Sequence, residues 1–409
     1  MPFAPPVRSG YRDAMMSPAP TGQPVGDAAQ RVRSLFWLAL LVRLATALGI
    51  HFGVGSEEMF APDQLTYHAI GRFIADRWSF DLAVPTGALP QGPKGYFYIV
   101  AVQYFLFGTH SLVPKLVNCF VGALGVPIVY DIVVRMGAGV PAALRAATFT
   151  VWFPSLVLWS ALNIRDVWII VLILLICRQA LILQAKPGAI SLFVMAGSML
   201  ALVQFRAYVL FAVAGPVVVS FLVQRSRRIG RNLIIGSIAA VALIYADQVA
   251  GANRKARFLD LEELNTIRYW NTVGAESQLD QADISTPGKA LLFLPKGLTF
   301  FLLAPFPWML GSVRQVLALP ETLVYYWLIP HMFRGIRHLV RHNLRASLMA
   351  LLITAGLTLG YALGEGNVGT AYRHRAQLLS FFLIFGAVGL EARRRQPARA
   401  PSQVLVRPA

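Results

Sequence analysis

From position 35 onward the chain alternates long apolar runs with short polar connections, and the runs are continuous rather than alternating residue by residue. Stretches such as Val167–Leu183 contain hardly a polar position. A barrel strand would show ten-residue alternation, so the pattern predicts helices, each closing its own backbone hydrogen bonds where no water is present. Runs of roughly 17–25 residues recur between Leu35 and Leu390, long enough for a hydrocarbon layer about 30 Å thick. The predicted fold is an all-α polytopic bundle of about ten transmembrane helices.

The order of crossings follows from the connections. Residues 1–33 lack a hydrophobic period and are expected to form a disordered cytoplasmic tail; Leu35–Phe52 is the first crossing. Residues 53–111 form a first extracytoplasmic loop, in which Leu65–Trp78 has the spacing of an amphipathic surface helix. Tyr96–Phe107 is too short to span and is read as interfacial. The following crossings are Leu112–Val134, a third ending near Ser160, Val167–Leu183, Ala189–Gln204, Val209–Val223 and Leu233–Val249. The polar stretch 251–289 is then an external loop, Ala290–Leu319 a re-entrant or surface segment broken at Pro305-Phe-Pro-Trp308, and Leu323–Phe333 the core of a return crossing. Leu348–Leu363 leads out, Gly364–Arg375 is an external segment, and Leu378–Leu390 returns to a basic cytoplasmic tail, 392–409. The spanning domain is residues 34–391.

Charge supports that topology. The 409 residues carry a net charge of +18, with 56% hydrophobic and only 14% charged positions. In a soluble protein such a balance points to nucleic acid, but here the arginines cluster between apolar runs, at Arg225–Arg231, Arg334–Arg341 and Arg393–Arg395. That is the positive-inside pattern, so the expected partner is the lipid bilayer of the inner (plasma) membrane, with both termini cytoplasmic and no nucleic acid. Cys119 and Cys177 lie inside apolar runs and imply neither a disulfide framework nor a thiolate metal site.

With this topology Asp63, Arg165-Asp166, Arg206, Glu365 and the run Tyr372-Arg-His-Arg375 meet at the outer face. A carboxylate there can take a proton from an attacking hydroxyl, and guanidinium groups can hold a phosphate through charge-assisted bonds. Structural roles compete at each position. Asp63 suits a helix cap, Arg165-Asp166 suits a helix start, Arg206 a snorkelling anchor, and Arg373, His374 and Arg375 a lipid-headgroup anchor. Arg43, inside the first crossing, is expected to face the bundle. No metal motif is present; a divalent ion on Asp63, Asp166 and water is the remaining alternative to a cofactor-free site.

In combination these features resemble the membrane glycosyltransferases of the C-type (GT-C) fold, in particular the family-39-like group of protein mannosyltransferases that use polyprenyl- or dolichyl-phosphate-linked sugars. The matching stretches are Arg43, Asp63-Gln-Leu-Thr-Tyr67, Gly95-Tyr-Phe-Tyr98, Pro154–Ser160 before Arg165-Asp166, and Tyr372–Arg375. The resemblance implies a base at Asp63 and a second-loop acid at Asp166, and beside these Tyr67, Arg165, Arg206, Tyr372, Arg373, His374 and Arg375 are the candidates for binding substrate. It implies inverting transfer from a polyprenyl-phosphate-linked sugar to a lipid, glycan or protein acceptor in cell-envelope glycan or glycoconjugate synthesis. Where many members have adjacent acids in the first loop, Asp63 is followed by Gln64. Alternatives are an O-antigen-type polymerase or ligase using a pyrophosphate-linked oligosaccharide, a transporter or flippase, and a non-enzymatic assembly subunit.

Overall fold

In the computed structural model of the chain, residues 25–53, 60–90, 93–223, 229–250, 261–272, 282–306, 308 and 313–394 are described. The first 24 residues, Glu57-Glu58, Arg225–Arg228, 251–260, 273–281 and the tail from 395 lie outside them. Among the described residues the regular structure is helical throughout. Six helices are long and apolar enough to cross a membrane, or seven if one bent pair counts as a single span. The chain is thus a multi-pass membrane protein.

Helix α1, Val25–Gly53, starts within the stretch expected to be a disordered tail. Asp27 in its first turn and the Ala-Ala-Gln-Arg run after it favour helix before the apolar sequence begins. Arg43 is buried and donates to the carbonyls of Ala39 (3.2 Å) and Thr150 (3.0 Å), so it ties α1 to a neighbour through backbone oxygens, not through an acid. Two short helices follow, α2 (Asp63–Ser79) and α3 (Gly95–Phe107). They pack tightly on each other, since a Cβ on Gly71 would lie 2.4 Å from Val100. Phe105, Leu106 and Phe107 stay exposed, and α3, at 13 residues, is too short to span, as its apolar length predicts.

The bundle proper contains α4 (Leu112–Arg135), the bent pair α5 (Val140–Trp152) and α6 (Pro154–Ser160), and α7 (Asp166–Ala185). The break between α5 and α6 turns the chain by 55° at Phe153-Pro154, where proline removes a backbone donor. Side-chain contacts fix which way each helix runs. Asn118 at the start of α4 accepts from Trp168 at the start of α7, 2.8 Å, while Asp131 near the end of α4 pairs with Arg178 farther along α7, 2.6 Å. These two helices therefore run parallel. One end of the bundle holds Asp63 and Asp166; the other holds Arg135, Arg145 and Arg178.

Helix α8, Ala189–Leu222, is 34 residues long, more than one bilayer requires. Its backbone is extended at Arg206 (φ −161°, ψ 84°). Arg206 reaches Asp166 at the first end of α7, at 3.8 Å, yet Ser220 is bonded by Gln184 at the last turn of α7, 3.1 Å. Because only three residues separate the end of α7 from the start of α8, the segment must fold back on itself at Arg206. It is thus the two crossings expected from sequence, joined without a loop. Helix α9 (Ile229–Ala250) returns toward the Asp166 end, where Gln204 bonds Tyr245. Helices α10 (Leu261–Thr272) and α11 (Pro287–Leu303) follow; α10 gives the polar stretch 251–289 a helical centre.

Helices α12 (Val313–His342), α13 (Leu344–Gly364) and α14 (Val368–Arg394) close the fold. The pairs Glu321–Tyr372, Tyr325–Phe382 and Gly389 against His331 advance together, so α12 and α14 lie parallel. Small residues let their backbones touch. A Cβ on Gly335 or on Gly389 would lie 1.9 Å from a carbonyl oxygen of the facing helix. Gly389→Ala is therefore expected to cost about 1–3 kcal/mol or more, read as a fall in unfolding temperature in detergent. The segment Gly364–Arg375, expected as an external loop, is mostly helix: α14 starts at Val368, and Thr370 donates its backbone N–H to Asn367 Oδ1 at 2.8 Å.

Candidate functional site

The site is assembled at one end of the bundle from elements far apart in sequence. Asp63 opens α2, Asp166 opens α7, Arg206 sits at the fold-back of α8, and Arg373 lies in the second turn of α14. Starting a helix at each carboxylate places the negative charge where the helix dipole favours it.

Arg373 links the two acids. Its Nη1 donates to Asp63 Oδ2 at 2.8 Å, and its Nε and Nη2 both donate to Asp166 Oδ2, at 2.9 and 2.6 Å. The other oxygen of Asp166 faces Arg206 Nη2 at 3.8 Å and accepts from Gln377 at 3.3 Å. The two carboxylates differ in access. Asp166 is fully buried, whereas the Asp63 side chain is 49% exposed. A buried carboxylate with two guanidinium partners serves as an anchor, because an unpaired charge there would be costly. Only Asp63 is open to a reactant. The Arg373 guanidinium stands between the carboxylates, and among the described residues no three His, Cys, Asp or Glu side chains converge as a metal-binding set.

A second layer holds this arrangement. Gln64, next to Asp63, accepts from the backbone N–H of Asn163 at 2.9 Å, which docks the start of α2 on the turn before α7. Asn163 in turn accepts from the Tyr96 hydroxyl, 2.8 Å, and Asn118 donates to that hydroxyl and to the carbonyls of Leu162 and Ile164. Tyr67 is buried against Tyr96 and Phe97, with ring centroids 4.7 and 5.4 Å apart. Burial raises its phenol above the ordinary value, against the opposing charge of Arg165. Arg165 is only partly buried, but its Nε is enclosed without a hydrogen-bond partner among the described residues.

The Tyr372–Arg375 run does not act as one patch, since helical geometry points its members in different directions. Tyr372 donates to Glu321 at 2.9 Å, and the same Glu321 oxygen accepts from the Ser155 backbone at 2.6 Å. Arg375 turns away from the acids, donates to the carbonyls of Leu302 and Ala304, both at 2.8 Å, and lies over the Tyr325 and Tyr372 rings. Residues two apart on a helix diverge by about 200°. His374 bonds Glu365 and stacks on Tyr361, whose hydroxyl donates to Gln377 at 2.6 Å. Of the predicted residues, Asp63, Asp166, Arg206 and Arg373 are brought into one charged cluster, with Tyr67 and the His374–Glu365 pair beside it; Tyr372 and Arg375 belong to the packing of α14 on α11 and α12.

Glu365 is expected at the outer face from sequence but without a role, whereas Gln377, Glu321, Gln64, Asn118 and Asn163 are not among the expected site residues. Gln377 was within reach of sequence, because it lies one helical turn after Arg373 and so on its face. Burial resists ionisation of Glu365, but the charge and hydrogen bond of His374, the Thr370 hydroxyl and Arg206 outweigh it and hold the carboxyl below its usual range. A depressed carboxyl stabilises the fold above its unfolded value of 4.5 and ceases to as pH falls through the folded value. Glu365→Gln is thus expected to flatten the acid limb of a plot of unfolding temperature against pH below about 4.5.

No family model matches the chain, and no curated protein matches it either. Solved structures do share its fold. ArnT from Cupriavidus metallidurans bound to undecaprenyl phosphate superposes with a TM-score of 0.57 at 16% identity, covering 88% of this chain and 60% of ArnT. The archaeal oligosaccharyltransferase AglB from Archaeoglobus fulgidus, in complex with an inhibitory peptide and a dolichol-phosphate, gives 0.53 at 13% identity over 88% of this chain and 50% of AglB. ArnT in the apo state gives 0.51 at 16% identity, covering 86% and 59%. The chain has the GT-C fold, and it spans about half to three-fifths of the length of these proteins.

Proposed function

We propose that this chain is a membrane glycosyltransferase which moves a sugar from a polyprenyl-phosphate carrier to a hydroxyl of a lipid, glycan or protein acceptor, at the extracytoplasmic face of the inner membrane. The observation that carries the reading is the asymmetry of the two acids: Arg373 bridges a buried Asp166 and a half-exposed Asp63. Folds shared with proteins solved with undecaprenyl phosphate and dolichol-phosphate support a lipid-phosphate carrier.

In the reaction, Asp63 accepts the proton of the acceptor hydroxyl as that oxygen attacks the anomeric carbon. The bond from that carbon to the phosphate oxygen breaks, and its electron pair leaves with the polyprenyl phosphate. One displacement inverts the anomeric centre. Arg206 and Arg373 place positive charge beside the departing phosphate, and because the fold already holds them they need little reorganisation as charge develops. Asp166 is a positioning residue: it fixes both guanidinium groups and does not touch the substrate. Arg165, only partly buried, is left to meet the substrate, while the buried Tyr67 supports the site from its packed side.

The test is a panel of radiolabelled polyprenyl-phosphate and polyprenyl-pyrophosphate sugars, incubated with purified protein in lipid together with a membrane extract as acceptor source. Release of polyprenyl phosphate from one monophosphate donor is the expected result. Consumption of pyrophosphate-linked oligosaccharides alone would move the chain to the polymerase or ligase class. Consumption of none in the presence of extract would overturn the reading.

A further inference from the structure

The basic end of the bundle contains a cavity that the proposed chemistry does not use. It has a volume of about 630 Å³ and lies where α12 and α14 leave their glycine-mediated contact. On the α12 side, Arg334, Arg337, His338 and Arg341 follow at the three- and four-residue steps of one helical face. On the α14 side Gly389, at the helix contact, and Ala392 line the cavity with almost no side chain, and Arg393 completes the rim.

Four guanidinium groups therefore surround a void, and among its described lining residues there is no carboxylate. Glu391, the acid nearest in sequence, faces another helix and pairs with Arg145 at 3.6 Å. Like charges at these helical spacings repel one another. The basic residues of the last turn face the negative end of the α12 dipole, which offsets only part of that cost. His342 approaches the His338 carbonyl at 2.9 Å and stacks on its ring, so the rim is ordered by its own contacts. The apolar side chains of Phe333 and Val340 on the same helix are exposed. A ligand with phosphate oxygens in the cavity and hydrocarbon along these side chains would satisfy both features.

We infer that this cavity is a binding site for the phosphodiester headgroup of an anionic membrane lipid, at the end of the bundle opposite Asp63. Guanidinium forks match phosphate oxygens in pairs, and basic pockets between spanning helices suit headgroups carrying more than one phosphate. The size of the cavity and its four arginines favour a diphosphate headgroup over a single phosphate.

Full-length protein in detergent, titrated with cardiolipin and followed by native mass spectrometry, tests the site. Wild-type protein is expected to retain the lipid, and Arg337→Gln/Arg341→Gln to bind it about tenfold or more weakly, with phosphatidylcholine unable to compete. Arg31→Gln/Arg33→Gln, which removes charge from α1 outside the cavity, is expected to bind like wild type. Equal losses in both pairs would mean diffuse attraction to surface charge and overturn the site. Saturation by inorganic pyrophosphate without lipid retention would overturn its assignment to a membrane lipid. An unchanged unfolding temperature for each lipid-free variant distinguishes loss of binding from loss of fold.

Discussion

Asp63→Asn is expected to lower donor turnover by about a hundred- to ten-thousand-fold, the range typical of removing a general base. The amide keeps the shape of the carboxylate and still presents an oxygen toward Arg373. With the side chain half open to solvent, losing this ion pair should change stability by less than about 1 kcal/mol. The variant should therefore insert, purify and unfold at nearly the wild-type temperature, with its donor affinity little changed. Turnover close to wild type would remove Asp63 from the chemistry.

Arg373→Gln is expected to strike the fold as well as the reaction. It leaves Asp166, fully buried, with Arg206 at 3.8 Å and Gln377 at 3.3 Å as its partners. Breaking one member of a buried pair costs about 3–5 kcal/mol, mostly because a charge is stranded. A double replacement separates the two effects. Arg373→Gln/Asp166→Asn removes the stranded charge and should recover much of the unfolding temperature, while turnover stays low for want of the cation at the leaving phosphate. A double variant as unstable as the single one would show that Asp166 is not what Arg373 stabilises.

Much of the fold was legible because lipid imposes a simple rule on sequence. Apolar length marks each crossing, and arginine clusters mark one end, so even the paired crossings within Ala189–Leu222 followed from a single arginine at position 206. The meeting of Asp63, Asp166, Arg206 and Arg373 followed from the alternation of crossings, since every second connection returns to the same end. What escaped the reading depends on rotation about a helix axis. Taking Gly364–Arg375 as a loop treated Arg373, His374 and Arg375 as equivalent, whereas in α14 they face acid, Glu365 and backbone carbonyls in turn. The Asn118 network was invisible for a different reason: two of its partners are backbone carbonyls of a turn, which no side-chain pattern announces.

The fold-back at Arg206 has a consequence for how the molecule is made. Synthesis proceeds from the N-terminus, so Asp166 is translated well before the arginine that will face it. The two arms around Arg206 can enter the bilayer as a pair, the arginine at their apex meeting a counter-charge already in place. Arg373 comes last and closes the cluster over Asp63. The charged heart of the protein is thus completed in stages, and a nascent chain stopped short of α14 already holds the buried acid and its first cation but lacks the bridge between the acids.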